Sequence, residues 1–187
     1  MTSHDVVARA RRVLGERSIG HTGTLDPFAT GLLVLLVGKG TRVARFLDGL
    51  GKTYLATARL GQRTTTDDLT GEPVGPAHEG PLPGREDIAG ALGGFLGVQA
   101  QTPPAYSARK QDGERAYARA RRGESVELAP SKVTVYQAEL LSVEGAEVTF
   151  RVTVSTGTYV RAIARDLGER LGTGAHLTAL RRESLGS

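Results

Sequence analysis

The sequence predicts an α+β domain built on a mixed, largely antiparallel central sheet flanked by helices. Three observations predict it. Two β-rich runs, 133–143 and 148–155, are separated at Glu144-Gly145 by four residues and so read as a hairpin. Segments of helical period open the chain and follow Gly157-Thr158. Strands and helices are mixed, with hairpins among them, which disfavours a doubly wound parallel sheet of the Rossmann kind.

Each element has a local reason. Thr2 and Asp5 fit a capping box, and Val6, Val7, Ala10, Val13 and Leu14 recur at helical spacing behind it, so the chain opens on a helix. Residues 19–31, rich in Gly, Thr and Pro, read as a loop. The apolar run 32–37 reads as a buried strand, after which Thr41 is placed to cap a helix ending near Leu50. Residues 52–60 read as a strand whose alternation puts Tyr54, Ala56 and Ala58 on one face and Leu55, Thr57 and Arg59 on the other. The stretch 64–100, with Pro73, Pro76, Pro81 and Pro83, reads as a surface excursion before a short helix at 85–96. Gly157-Thr158 starts a helix reaching about Leu171, and a last strand covers 176–180.

A length of 187 residues suits one domain, expected to occupy 1–187. No apolar run approaches the ~20 residues of a membrane helix, and nothing at the N-terminus resembles a signal core, so the expected address is the cytoplasm. Cysteine is absent, which excludes disulfides and thiolate metal sites, and His4, His21, His78 and His176 show no ligand spacing. No metal is expected. The net charge of +4 hides a division. Residues 1–63 carry ten basic groups and four acids, 64–100 one Arg and six acids, and 107–123 six basic groups and two acids. Of the 24 basic residues 20 are Arg, whose planar fork of donors matches phosphate oxygens, so nucleic acid is the favoured partner.

Gly38-Lys39-Gly40-Thr41 invites comparison with a P-loop, but Gly follows the Lys and Leu33 stands where the first Gly belongs. Nucleotide hydrolysis is disfavoured on that pattern. The segment 20–31 places Asp26, His21 and three threonine hydroxyls between glycines, a composition fit for a catalytic loop; Asp26-Pro27 fits an ordinary turn equally well, and composition does not choose. Arg161 falls in the first turn of a helix, where the dipole disfavours a cation unless an anion is near.

The run Gly20-His21-Thr22-Gly23-Thr24-Leu25-Asp26-Pro27-Phe28-Ala29-Thr30-Gly31 resembles the catalytic motif of the bacterial TruB branch of pseudouridine synthases, Gly-His-Thr-Gly-x-Leu-Asp-Pro-x-Ala-x-Gly, at every specified position. The resemblance continues in order through Lys52-Thr53-Tyr54, Leu60-Gly61-Gln62-Arg63-Thr64 with Asp67 and Gly71, the block 101–108, Gly157-Thr158-Tyr159-Val160-Arg161, and Gly174-Ala175-His176-Leu177 with Leu180-Arg181-Arg182. It implies the pseudouridine synthase fold and a tRNA substrate. The T-loop uridine at the position called 55 in tRNA numbering is flipped out, its N1–C1′ bond is cleaved, the base turns, and C5 is joined to C1′.

On this resemblance Asp26 is the catalytic carboxylate, Arg161 its counter-charge and Tyr54 the ring that stacks on uracil. Leu180 lines the pocket, Tyr159 belongs to the substrate-binding motif, and His21 contacts the splayed nucleotides by stacking. The sequence does not choose among a C1′ ester of Asp26, its attack on C6 and elimination to a glycal, of which elimination is the favoured route. The basic patch containing Arg109 and Lys110 grips phosphates. No cofactor is implied, no obligatory protein partner, no membrane, and a monomer is expected. Relatives begin with a further strand carrying a Lys-Pro pair and end in a small RNA-binding PUA domain; both are expected to be absent from this stretch. The alternative reading is a non-catalytic RNA-binding or tRNA-folding module on the same scaffold, and within the family a guide-RNA-dependent or eukaryotic-type synthase.

Overall fold

The computed structural model describes residues 1–107, 110–111, 114–115, 119, 122, 124 and 128–186. Helix α1 (Ser3–Leu14) has the capping box foreseen: Thr2 Oγ1 accepts from Asp5 N and Thr2 N donates to the Asp5 carboxylate. Strands β1 (Ile19–His21), β2 (Thr30–Gly31) and β3 (Leu35–Val37) follow, then a 3-10 turn (Gly38–Val43) and a single helical turn, α2 (Ala44–Leu47). Next come β4 (Lys52–Leu60), the small β5 (Arg63–Thr64) and β6 (Pro73–Val74), helix α3 (Arg85–Gly93) and β7 (Gly97–Gln101). The chain continues through β8 (Lys110–Gln111), β9 (Glu114–Arg115), β10 (Ser131–Glu144), β11 (Glu147–Val154), α4 (Val160–Arg170) and β12 (Ala175–Leu185).

The central sheet has the order β2-β12-β4-β11-β10-β7, with β12 and β2 parallel and every other pair antiparallel. It is the mixed, largely antiparallel sheet the sequence predicts. The β10–β11 hairpin turns at Gly145, whose φ of 60° is the left-handed value a two-residue hairpin loop asks of its first residue. On β4 and β11 every second side chain is buried: Tyr54, Ala56, Ala58 and Leu60 beside Val148, Phe150, Val152 and Val154. Helices α3 and α4 cover that face with Ile88, Leu92, Ile163 and Leu167. The opposite face is polar, with Thr53–Thr153 and Thr57–Thr149 hydroxyl pairs at 3.0 and 3.1 Å and Arg151 bridging Glu139 and Glu183.

Four local expectations are corrected. The run 32–37 is not one buried strand. Leu32 donates its N–H to Arg182 O and so stays with β12, whereas 35–37 pairs with β1 in a separate ribbon; Leu32 and Val37 are exposed. Residues 19–31 are a loop bracketed by two short strands rather than a loop throughout. Thr41 caps nothing, because its hydroxyl turns back to Gly38 O at 2.8 Å inside the 3-10 turn. The last strand runs to Leu185, beyond 176–180, because Arg182 and Glu183 find partners on opposite faces of the sheet.

Candidate active site

Asp26 begins a tight turn in which Ala29 N donates to Asp26 O at 2.9 Å, with Pro27 at the position that favours its fixed φ. The two readings of Asp26-Pro27 therefore coincide: the turn exists, and it aims the carboxylate. The loop is anchored on one side by Ser3 Oγ of α1, which accepts from Leu25 N at 2.9 Å, and below by Leu25, Phe28 and Ala29 against the core.

Arg161, in the first turn of α4, forms a fork to Asp26, Nε to Oδ2 at 3.0 Å and Nη2 to Oδ1 at 2.9 Å. Its side chain is 5% exposed and that of Asp26 29%, so the carboxylate keeps an open edge. Arg161 also donates from Nη1 to Thr66 O at 2.9 Å and from Nη2 to Tyr106 O at 3.0 Å, and Asp68 lies 3.7 Å from Nη1. These two carboxylates are the anions that a cation at a helix N-terminus needs. The helix start itself is completed by the Gln101 side chain, whose Oε1 accepts from Tyr159 N and whose Nε2 donates to Tyr159 O.

Tyr54 and Leu180 are buried on adjacent strands of the sheet. Leu180 lies opposite Ala56 in the β12–β4 register and Tyr54 opposite Arg182, so the two side chains share the buried face. Burial pushes the Tyr54 hydroxyl above its ordinary pKa, opposed by Arg182, and the Asp26 charge is close enough to add to the rise. His21 ends β1; Gly23 N donates to its Nδ1 at 3.2 Å, and burial with nearby Arg182 holds the ring below its ordinary pKa. A neutral ring with Nδ1 occupied suits stacking better than proton abstraction. Tyr159 is half-buried beside Arg161.

A cleft of about 150 Å³ opens beside Asp26, between the start of α1 and residues 25–33. A larger groove of about 590 Å³ between residues 74–79 and 172–174 holds none of these groups, so size does not locate the site. No group of three or more His, Asp or Glu placed to hold a metal ion occurs among the described residues, and none of their helices is long and apolar enough to cross a membrane. The arrangement presents one carboxylate, fixed in orientation and charge-compensated, with a buried tyrosine within range of its charge.

The structure pairs Asp26 with Arg161 and sets Tyr54 within range of the Asp26 charge, while Leu180 shares Tyr54's face of the sheet and His21 ends β1 at the start of the loop. Arg109 lies outside the described residues; Lys110 is placed in β8, with its side chain outside them. Sequence reasoning assigned no site role to Thr66, Asp68, Asp67, Gln101, Arg165 or Arg182. The stretch 64–100 read as a solvated acidic excursion, yet Asp67 and Asp68 are buried. Asp67 takes φ 58° and pairs with Arg165 at 3.0 Å, one helical turn beyond Arg161. Burial, partly offset by Arg165, raises its carboxyl pKa. The available signal was two adjacent acids in a chain segment otherwise crowded with hydroxyls, at 64–70.

Residues 11–160 match the family described as TruB family pseudouridylate synthase (N terminal domain). The chain is 51% identical over 191 residues to the tRNA pseudouridine synthase B of Arthrobacter sp. (strain FB24), covering 99% of this chain and 62% of that relative. It is 52% identical to the enzyme of that name from Nocardia farcinica, covering 100% of this chain and 62% of the relative. Among solved structures it resembles a chain of a Cbf5-Nop10-Gar1 complex, with a TM-score of 0.73 and 33% identity over 97% of this chain and 44% of that one. The chain thus spans about three fifths of the length of these two bacterial relatives. With the sheet, the loop geometry and the matched motifs in agreement, the chain belongs to the TruB family of pseudouridine synthases.

Proposed function

We propose that residues 1–187 form the catalytic domain of a tRNA pseudouridine synthase that isomerises the T-loop uridine at position 55. The observation that carries this reading is the fork between Asp26 and Arg161 on the loop that holds the matched motif. The target base stands inside a stacked loop and must be flipped out before its glycosidic bond is reachable. Tyr54 offers a ring to the flipped uracil, Leu180 an apolar wall, and Tyr159 and His21 the sides, His21 by stacking on the splayed nucleotides. As N1–C1′ breaks, Asp26 takes the C2′ proton, giving a glycal and a free uracil anion. The base turns, C5 bonds to C1′ while Asp26 returns the proton to C2′, and the C5 proton is lost as N1 gains one. Nothing is oxidised and no group leaves, so the reaction needs no cofactor. Arg161 keeps the carboxylate from rotating and compensates its charge throughout.

The Arg109–Lys110 region would hold phosphates of the T-arm, giving affinity and register without sequence information. We place the enzyme in the cytoplasm, with its tRNA, acting as a monomer without an obligatory protein partner. Asp26→Asn, which keeps shape and removes the negative charge, should abolish pseudouridine formation and leave tRNA binding intact. A carbodiimide-based pseudouridine assay on bare T-arm RNA reads this out; unchanged activity in the variant would sink the assignment. Wild-type protein that binds and refolds tRNA without isomerising it would instead favour the RNA-folding module.

A further inference from the structure

Arg182 closes the Leu180-Arg181-Arg182 run on β12 and is 2% exposed. Its guanidinium reaches both ends of the Asp26 loop: Nη2 donates to Gly23 O at 3.1 Å and Nε to Leu32 O at 2.7 Å. Its main chain holds the same segment, with Leu32 N donating to Arg182 O at 2.9 Å. Gly31 packs so closely there that an added Cβ would fall on the Arg182 carbonyl. The residues that bracket Asp26 on both sides are therefore attached to one side chain and its own backbone.

This arrangement is costly as packing. Nη1 of Arg182 is buried with no hydrogen-bond partner among the described residues, and the guanidinium lies near the Tyr54 hydroxyl, whose rise in pKa it opposes. Buried Lys52 lies across Gly23 from it: a Cβ added to Gly23 would stand 3.3 Å from Lys52 Cε and 3.4 Å from Arg182 Nη1. Lys52 Nζ reaches Leu50 O and Thr156 Oγ1, each at 3.4 Å, and among the described residues neither cation has a carboxylate within ion-pair distance. Two buried cations without an ion-pair partner disfavour folding, and an apolar residue would fill the volume at lower cost. A group retained against that cost is expected to serve the site.

We propose that Arg182 is a positioning residue for Asp26, a staple that fixes both ends of the loop to β12 so that the carboxylate meets Arg161 already oriented. The inference rests on the functional reading above for its effect on rate, and on geometry alone for its effect on the loop. Its position opposite Tyr54 in the strand register lets the same side chain hold Tyr54 and the loop in fixed relation.

The test compares Arg182→Met and Arg182→Lys in the full chain by thermal unfolding, amide hydrogen exchange and steady-state kinetics on T-arm RNA. Arg182→Met should speed exchange at Gly23, Ala29 and Leu32 while α4 and β11 exchange as before. It should lower kcat by about 10²-fold, the penalty of a displacement near 1 Å, with KM within about twofold. Arg182→Lys keeps the charge and one donor group, and should lie between. Methylguanidinium added to Arg182→Ala should restore part of the rate, which a purely structural defect would not allow. Unchanged loop exchange, or a loosened loop with wild-type kcat, overturns the proposal. If Arg182→Met does not fold, Arg182→Lys decides on the same two readouts. A wild-type chain that never isomerises uridine, whatever the state of Asp26, counts against the functional reading, and the exchange comparison still judges the staple.

Discussion

Changing Arg161 to Lys keeps a positive charge at the N-terminus of α4 and removes the fork. The native guanidinium makes four hydrogen bonds in three directions, two to Asp26, one to Thr66 O and one to Tyr106 O, with Asp68 3.7 Å away. An ammonium on a straight stem is a point donor and reaches one of those directions at a time. Two acceptors then stand in a site where the replaced side chain was 5% exposed. At about 1–3 kcal/mol per unsatisfied buried group, two such groups give an expected loss of stability of about 2–6 kcal/mol. Arg161→Met should cost more than Arg161→Lys, because Asp68, 7% exposed at its side chain, loses its nearest cation altogether. Urea unfolding measures both variants. For the chemistry, an Asp26 freed to rotate should slow the single-turnover rate at saturating RNA by about 10²-fold in Arg161→Lys, with RNA affinity preserved. An Arg161→Lys variant within about threefold of the wild-type rate and within ~1 kcal/mol of its stability would refute the claim that the two-point geometry, rather than charge alone, is what the site needs. Adding Asp26→Leu to Arg161→Met should recover part of the lost stability, as expected of partners in one network.

Two further outcomes follow from the same structure. Phe150, fully buried at the centre of β11, should cost about 3–5 kcal/mol as Phe150→Ala, read as a lower urea midpoint at unchanged slope. His21 should titrate below 6.5 by NMR, because burial and Arg182 disfavour its charged form. Below pH 6.5 the unfolded chain takes up a proton that the folded ring refuses, so His21 lowers stability as pH falls through that value; His21→Asn should flatten this part of the stability profile.

The sheet was legible where burial is one-sided. On β4 the alternation of Tyr54, Ala56 and Ala58 with Leu55, Thr57 and Arg59 marks the inner face before any coordinate is known, and the β10–β11 hairpin announces itself at Glu144-Gly145. Edges were less legible. Strand β7 carries Val98 in solvent and little burial, so neither period nor composition marks it, and residues 32–37 look continuous although they divide between two sheets. Of the site, the motif loop and Arg161 stood out because unusual residue types are crowded together there. Their partners did not, since Arg161 meets Asp26 across 135 positions and Arg182 meets Gly23 across 159, contacts that no local pattern encodes. Asp67 and Asp68 misled for the same reason: an acid reads as solvated until the chain folding over it supplies a guanidinium.

The same contacts bear on how a loop can hold a catalytic group still. Loops open more readily than strands and helices because fewer buried contacts hold them, and a carboxylate placed on one inherits that mobility. Here the loop is short, from Gly23 to Leu32, and it bonds to three different elements: Ser3 of α1 at Leu25, Arg161 of α4 at Asp26, Arg182 of β12 at both ends. Strand β4, which carries Tyr54, is paired along its length on both sides, to β11 and β12. A change at any of the three anchors should therefore be felt first as motion of Asp26 relative to Tyr54. Core substitutions such as Phe150→Ala should lower stability without changing the rate per folded molecule. Rate and stability can be moved separately in this fold because the anchors of the loop and the centre of the core are different residues.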